Sequence, residues 1–401
     1  MFKFADLQKI RLGGAKDNIG LTSIGAGALL GSLGSPLSGA AGAVAAGVAA
    51  AAGGAYFGGR FADAMNLDVF EAGESELKIN SSPVPEVTGD TINLGYVVDT
   101  GEALNLPLSE FSRHMMVTGL TGVGKTVLGN WLFFQQIQSG AGVMFVDGKI
   151  DGDNLLMMWQ MAAACGREHD LLVINPDEPD LSNTYNPLLH GDPEEVASRA
   201  MALTPHSENN PGTDFYRQSA SGAVRAIVAG LQSANRAYNP MDIALMLQSD
   251  RIFAAVDRMM PNSDAATQFR IWRQKFVATD RDGNERGLDM AKMRNELGGL
   301  VNKIYTFGSG NFGRVCNSYD PEVVILDAIR QGKIIYCALP TLAKREQAGQ
   351  FGKMLIGDLR SALGHLQKHK QDRPKKPFLC FFDEAGSYLT EAASAMLEQA
   401  R

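Results

Sequence analysis

Short, wholly apolar runs alternate along this chain with stretches whose apolar residues recur every three to four positions. Ala141-Gly142-Val143-Met144-Phe145-Val146-Asp147, Leu171-Leu172-Val173-Ile174, Lys333-Ile334-Ile335-Tyr336-Cys337-Ala338-Leu339 and Pro377-Phe378-Leu379-Cys380-Phe381-Phe382 are continuous apolar runs bounded by polar residues, Pro or Gly. Such runs predict strands buried on both faces, as in a parallel sheet. His114-Met115-Met116-Val117-Thr118 reads as a further strand of this kind. Helical spacing follows it from Val127 to Gln138 and appears again over about 153–165. Strand alternating with helix indicates an α/β fold, a mostly parallel sheet covered by helices on both faces. Upstream, Leu94–Val98 and Ala103–Pro107, joined by Asp99-Thr100-Gly101-Glu102, predict a β-hairpin leading into the first core strand.

The interval between Ile174 and Lys333 is far longer than an ordinary crossover, so it must hold an inserted domain. Its pattern is helical. Asp192-Pro193-Glu194-Glu195 is a helix start, with a cap, a proline and acid in the first turn. Phe215, Val224, Ile227, Val228 and Leu231 follow helical spacing, as do Ile243, Leu245 and Leu247, and Met290, Met293, Leu297, Leu300, Val301 and Ile304. Arg270, Arg273 and Lys275 read as a solvated face.

One segment breaks the alternation. From Asn18 to Gly59 there is no charged residue, and Gly, Ala and Ser dominate. That length accommodates two membrane crossings, near 19–34 and 37–58, with Ser35-Pro36 as the turn. Gly27, Gly31 and Ser35 recur at the spacing that lets helices approach closely in lipid. Lys9, Arg11 and Lys16 precede the segment and Arg60 follows it, so both ends are expected on the cytoplasmic side. The organisation expected is therefore an N-terminal membrane anchor at 1–60 and a linker at 61–90. A nucleotide-binding domain follows in two segments, at 91–190 and 316–401, with an inserted all-α domain at 191–315 between them.

Composition narrows the functions. The 401 residues carry a net charge of −7, which excludes a uniformly basic nucleic-acid-binding surface. Cys165, Cys316, Cys337 and Cys380 are scattered without metal spacing and suit a reducing cytoplasm.

The chemistry is carried by Gly119-Leu120-Thr121-Gly122-Val123-Gly124-Lys125-Thr126, which satisfies the phosphate-loop pattern at every fixed position, with Val127 following it. Its glycines let successive N–H groups turn inward towards phosphate oxygens. Lys125 is expected to reach the β- and γ-phosphates and Thr126 to offer its hydroxyl to Mg²⁺, while the helix N-terminus adds partial positive charge. The apolar run ending in Phe382 closes on Asp383-Glu384. Asp383 stands where a Mg²⁺-shell carboxylate belongs and Glu384 where a base could polarise water. Asn302-Lys303-Ile304-Tyr305 lacks the final Asp of a guanine reader, which favours ATP over GTP.

In this order, the phosphate loop, Asp147-Gly148-Lys149, Tyr185-Asn186-Pro187-Leu188, Ile335-Tyr336-Cys337-Ala338-Leu339-Pro340, Asp383-Glu384 and Glu398-Gln399-Ala400-Arg401 resemble the coupling ATPases of type IV secretion, the TraG/TraD type, including its DotL-like branch. The resemblance spans about residues 92–401. It implies a RecA-like P-loop NTPase core, an inserted all-α domain and a membrane anchor. It further implies a homo-hexamer at the bacterial inner membrane with its motor in the cytoplasm. Such a motor hydrolyses ATP with Mg²⁺ to pass relaxase-linked DNA, or effector proteins with adaptors, to inner-membrane components of the channel. Family members continue beyond the position of Arg401 with further core strands and a Gln that senses the γ-phosphate, so a fragment with an incomplete site is expected. A HerA/FtsK-like DNA translocase and a nucleotide-dependent docking platform without turnover remain open alternatives.

Overall fold

The structure, a computed structural model, describes residues 91–97, 99–111, 114–120, 122–150, 152–204, 211–341 and 344–389. The predicted membrane hairpin and linker lie outside the described residues, as do Thr121 and Glu398-Gln399-Ala400-Arg401. Among the described residues no helix is long and apolar enough to cross a membrane.

The elements run β1 (Thr91–Tyr96), β2 (Ala103–Pro107), α1 (Leu108–Phe111), α2 (Lys125–Ser139), β3 (Val143–Asp147), α3 (Gly152–Ala164) and β4 (Leu171–Ile174). The long interval then holds α4 (Pro193–Ala200), α5 (Pro211–Ser233), α6 (Pro240–Met246), α7 (Asp250–Met259) and α8 (Asp264–Gln274). It continues with β5 (Val277–Thr279), β6 (Glu285–Leu288), α9 (Met290–Phe307), α10 (Gly310–Cys316) and α11 (Ile325–Gln331). The chain returns through β7 (Ile334–Ala338), α12 (Arg345–Lys368) and β8 (Leu379–Phe382).

By packing, the described residues fall into two units. One takes Asn93–Asn105 and Met116–Leu128; the other takes the residues up to Ile92, Leu106–Met115 and everything from Gly129 onward. The first contains the turn of the β1–β2 hairpin, where Val97 N–H donates to Glu102 O and Asn93 donates to Asn105 across the strands.

In the second unit, four strands form a parallel sheet in the order β4-β7-β3-β8. Val143 stands opposite both Ile334 and Leu379, and Leu171 opposite Ile334, so the four strands begin level and end on one edge. Alternate residues serve opposite faces. Val143, Phe145, Ile334 and Tyr336 pack with Phe133 and Ile137 of α2 and Met158 and Ala162 of α3. Met144, Val146, Ile335 and Cys337 face the other core, which runs on without interruption through Phe351 and Leu355 of α12 to Phe253, Phe269 and Ile304 of the long interval.

Capping explains five of the helix starts in that interval. Asp192 and Asn239 each close a capping box, with Glu195 and Asp242, and each is followed by proline at the first helical position. Ser249, Ser263 and Asp289 cap α7, α8 and α9. The interval is not purely helical: β5 and β6 form an antiparallel hairpin. Its turn is made by Asp280, whose carboxylate accepts from the N–H groups of Asp282 and Asn284. The strands are too short for alternation to declare them, and the signal lies in this Asp-rich turn chemistry. His114–Thr118 also departs from expectation, forming no strand, with Met115 and Met116 49% and 87% exposed. A short apolar run becomes a strand only with a neighbour to pair with, and the strand pairings described do not include it.

Candidate functional site

The phosphate loop opens α2. Gly122 and Gly124 have φ of +86° and +90°, a backbone region that side chains disfavour, so the curl of the loop depends on these two glycines. Gly119 is needed for another reason: a β-carbon there would lie 2.7 Å from Val123 Cγ2. Leu128 N–H donates to Gly124 O at 3.0 Å, so the α-helical bonding begins inside the motif. Lys125 folds back over the loop, and its ammonium donates to Gly119 O at 2.8 Å and Leu120 O at 2.9 Å. The loop thus carries its own cation at its centre. Leu120, Val123 and Val127 are exposed, and Thr126 is half-buried at the second position of the helix.

The acidic pair lies at the C-terminal edge of the parallel sheet, the edge where open α/β sheets bind ligands. Asp383 follows β8, and its N–H donates to Val146 O at 3.0 Å, continuing the ladder one residue beyond the strand. Its carbonyl accepts from the buried Tyr388 hydroxyl at 2.7 Å. Glu384 then adopts the left-handed region, φ +52°, and starts a 3₁₀ turn. Gly148, at the end of β3, comes so close that a β-carbon would lie 2.9 Å from both Asp383 O and Glu384 Cβ. The next residue, Lys149, reaches over this junction. Its Nζ stands 3.0 Å from Glu384 Oε1 and 3.5 Å from Asp383 Oδ2. The hydrogen bond to Glu384 leads, and with the two negative charges it outweighs partial burial, holding the ammonium above the ordinary lysine range.

The two strand-terminal aspartates differ. Asp147 is fully buried, and its carboxylate accepts from the N–H groups of Lys149 and Ile150, from Asn154 and from the Tyr336 hydroxyl. Asp383 is 9% exposed, and its buried Oδ2 accepts no hydrogen bond. A hard divalent cation takes oxygen ligands, and a buried carboxylate oxygen whose nearest cation, Lys149, stays at 3.5 Å without a hydrogen bond fits one. Sequence reading found Asp383 and Glu384 but assigned no role to Lys149. Lys149 follows glycine at the end of β3, and only the pairing of β3 with β8 brings it to the acidic pair.

Over 345 residues the chain is 23% identical to the type 4 coupling protein DotL of Legionella pneumophila, a match covering 75% of this chain and 44% of that protein. The chain is similar to a type 4 coupling protein. This agrees with the resemblance read from the motifs. Among solved structures, the unbound conjugative coupling protein TrwBΔN70 matches at a TM-score of 0.48 and 13% identity, covering 78% of this chain and 64% of that one. TrwB in complex with ADP and Mg²⁺ matches at 0.47 and 14%, covering 77% and 65%. No protein-family model matches the chain. The chain thus spans less than half the length of DotL and under two thirds of the TrwB chains.

Proposed function

We propose that this chain is the nucleotide-driven portion of a type IV secretion coupling protein, an ATPase that recruits DNA or protein substrates to a secretion channel. The observation carrying the nucleotide reading is the loop itself: two glycines in the left-handed region and a lysine folded back onto the carbonyls of Gly119 and Leu120, at the start of a helix. The coupling role is supported by the likeness to DotL.

In this reading the backbone from Gly119 to Val127 wraps the phosphates of ATP, and the Lys125 ammonium leaves the carbonyls of Gly119 and Leu120 for the β- and γ-phosphates. Mg²⁺, when bound, neutralises phosphate charge; Thr126 and Asp383 are the residues assigned to hold it. Glu384 orients and deprotonates the attacking water. Residues 19–58 anchor the chain in the inner membrane with the motor in the cytoplasm, and six copies assemble into a ring.

Two substitutions in the full chain test this. Lys125→Ala removes a charge used in both the ground and the transition state, so nucleotide affinity and turnover should fall together. Glu384→Gln should leave affinity within a few-fold and cut turnover by about 10²-fold or more. Wild-type turnover in Glu384→Gln would remove the hydrolytic role of the acidic pair. A chain that binds ATP through Lys125 but never turns it over would instead be a docking platform.

A further inference from the structure

We propose that Lys149 is a built-in counter-ion of the Asp383–Glu384 pair, which a divalent cation must displace from Asp383 in order to bind. The inference rests on the reading of Asp383 as a cation ligand.

Asp383 is buried beside the exposed carboxylate of Glu384, and two like charges so close, one of them cut off from water, favour a cation nearby. Lys149 supplies it, and the surrounding backbone fixes where it sits. Its own N–H is held by Asp147 at 2.8 Å, the preceding Gly148 tolerates no β-carbon, and Tyr388 ties down the Asp383 carbonyl. The two contacts are unequal. Lys149 Nζ stands 3.0 Å from Glu384 Oε1 but 3.5 Å from Asp383 Oδ2, too far to satisfy that buried oxygen. Asp383 is therefore the weaker partner and the easier one to surrender. The Lys149 side chain is also 37% exposed, so it can swing away from Asp383 without leaving water or releasing Glu384. The arrangement offsets part of the acidic pair's charge while no metal is present and makes cation entry compete with a charge already in place.

The competition is measurable without nucleotide or turnover, using Mn²⁺ alone as the probe and electron paramagnetic resonance on the full chain. Lys149→Met should bind Mn²⁺ about tenfold more tightly than wild type, the difference of one partly screened charge. Lys149→Arg, which keeps the charge, should stay near wild type. Asp383→Asn in the Lys149→Met background should abolish the gain. If Lys149→Met binds Mn²⁺ no better than wild type while Asp383→Asn weakens binding, the counter-ion proposal falls and the reading of Asp383 stands. If Asp383→Asn leaves Mn²⁺ binding unchanged in the Lys149→Met background, that reading falls. Circular dichroism and urea midpoints check folding, and Lys149→Gln is the second neutral variant. Failure of both neutral variants to fold would make Lys149 a structural residue and overturn the proposal.

Discussion

Asp147 and Asp383 end neighbouring strands and look alike in sequence, yet their hydrogen bonding separates them. Asp147 spends its oxygens on Lys149, Ile150, Asn154 and Tyr336, which makes it a structural anchor for the turn that presents Lys149. Tyr336→Phe removes one of those donors from a buried carboxylate and should cost about 1–3 kcal/mol, read from urea unfolding. A second residue-scale case is Glu322, which accepts from Thr184 N–H, the Thr184 hydroxyl and Asn183. The Thr184 N–H leads in holding its carboxyl below the ordinary glutamate range. A carboxyl depressed in the folded state stabilises above its unfolded pKa, about 4.3, and the contribution is lost as pH falls through the lower folded value. Glu322→Gln should therefore lower stability at pH 7, by about 0.5–1 kcal/mol given its exposure. The gap to wild type should close as the pH drops below about 4. A gap that persisted at pH 2 would remove the carboxylate from the explanation.

At the scale of elements, the parallel strands were legible because each is an unbroken apolar run needing burial on both faces, and β3, β4, β7 and β8 appear where Val143, Leu171, Ile334 and Leu379 announced them. Helix starts were legible where a cap preceded proline, as at Asp192-Pro193. The β5–β6 hairpin was not, since strands of three and four residues carry too few positions for a period. His114–Thr118 misled for the opposite reason: an apolar run specifies burial but not a pairing partner. The bridge from Lys149 to the acidic pair could not be read from sequence at all, because it depends on strand order, and β8 lies beside β3 only by a crossover. That neighbour relation makes Gly148 a sensitive position. Gly148→Ala forces a β-carbon against the Asp383 carbonyl and should destabilise by about 1–3 kcal/mol while displacing the acidic pair. Gly152→Ala, with no atom within 4 Å of the added carbon, is the control and should be neutral or slightly stabilising. Equal urea midpoints for both variants would show that the close approach at Gly148 is not a constraint.

For the molecule as a whole, the question is whether the long helical interval behaves as a separate body. Its packing says otherwise within the larger unit, since one apolar core runs from Met144 and Val146 of the sheet to Phe253 and Phe269 of the interval. A buried polar link reinforces this. Arg199 of α4, 2% exposed, donates to Asp358 of α12 and to the carbonyls of Pro187 and His190, while Tyr185 donates its hydroxyl to the other Asp358 oxygen at 2.9 Å. Asp358→Leu leaves the guanidinium buried without its counter-charge and should cost about 3–5 kcal/mol. Arg199→Met added to it removes the orphaned charge and should recover much of that loss. Because the link and the core both span sheet and interval, the loss should lower the stability of both together. Variants keeping only Trp159, on α3 of the sheet, or only Trp272, on α8 of the interval, report the two regions separately. Their fluorescence transitions in urea should coincide in the wild-type background and shift by the same amount with Asp358→Leu, as a cooperative two-state unit requires. A Trp272 transition that moved alone would show that the interval unfolds on its own, and the shared core would then not couple it to the sheet.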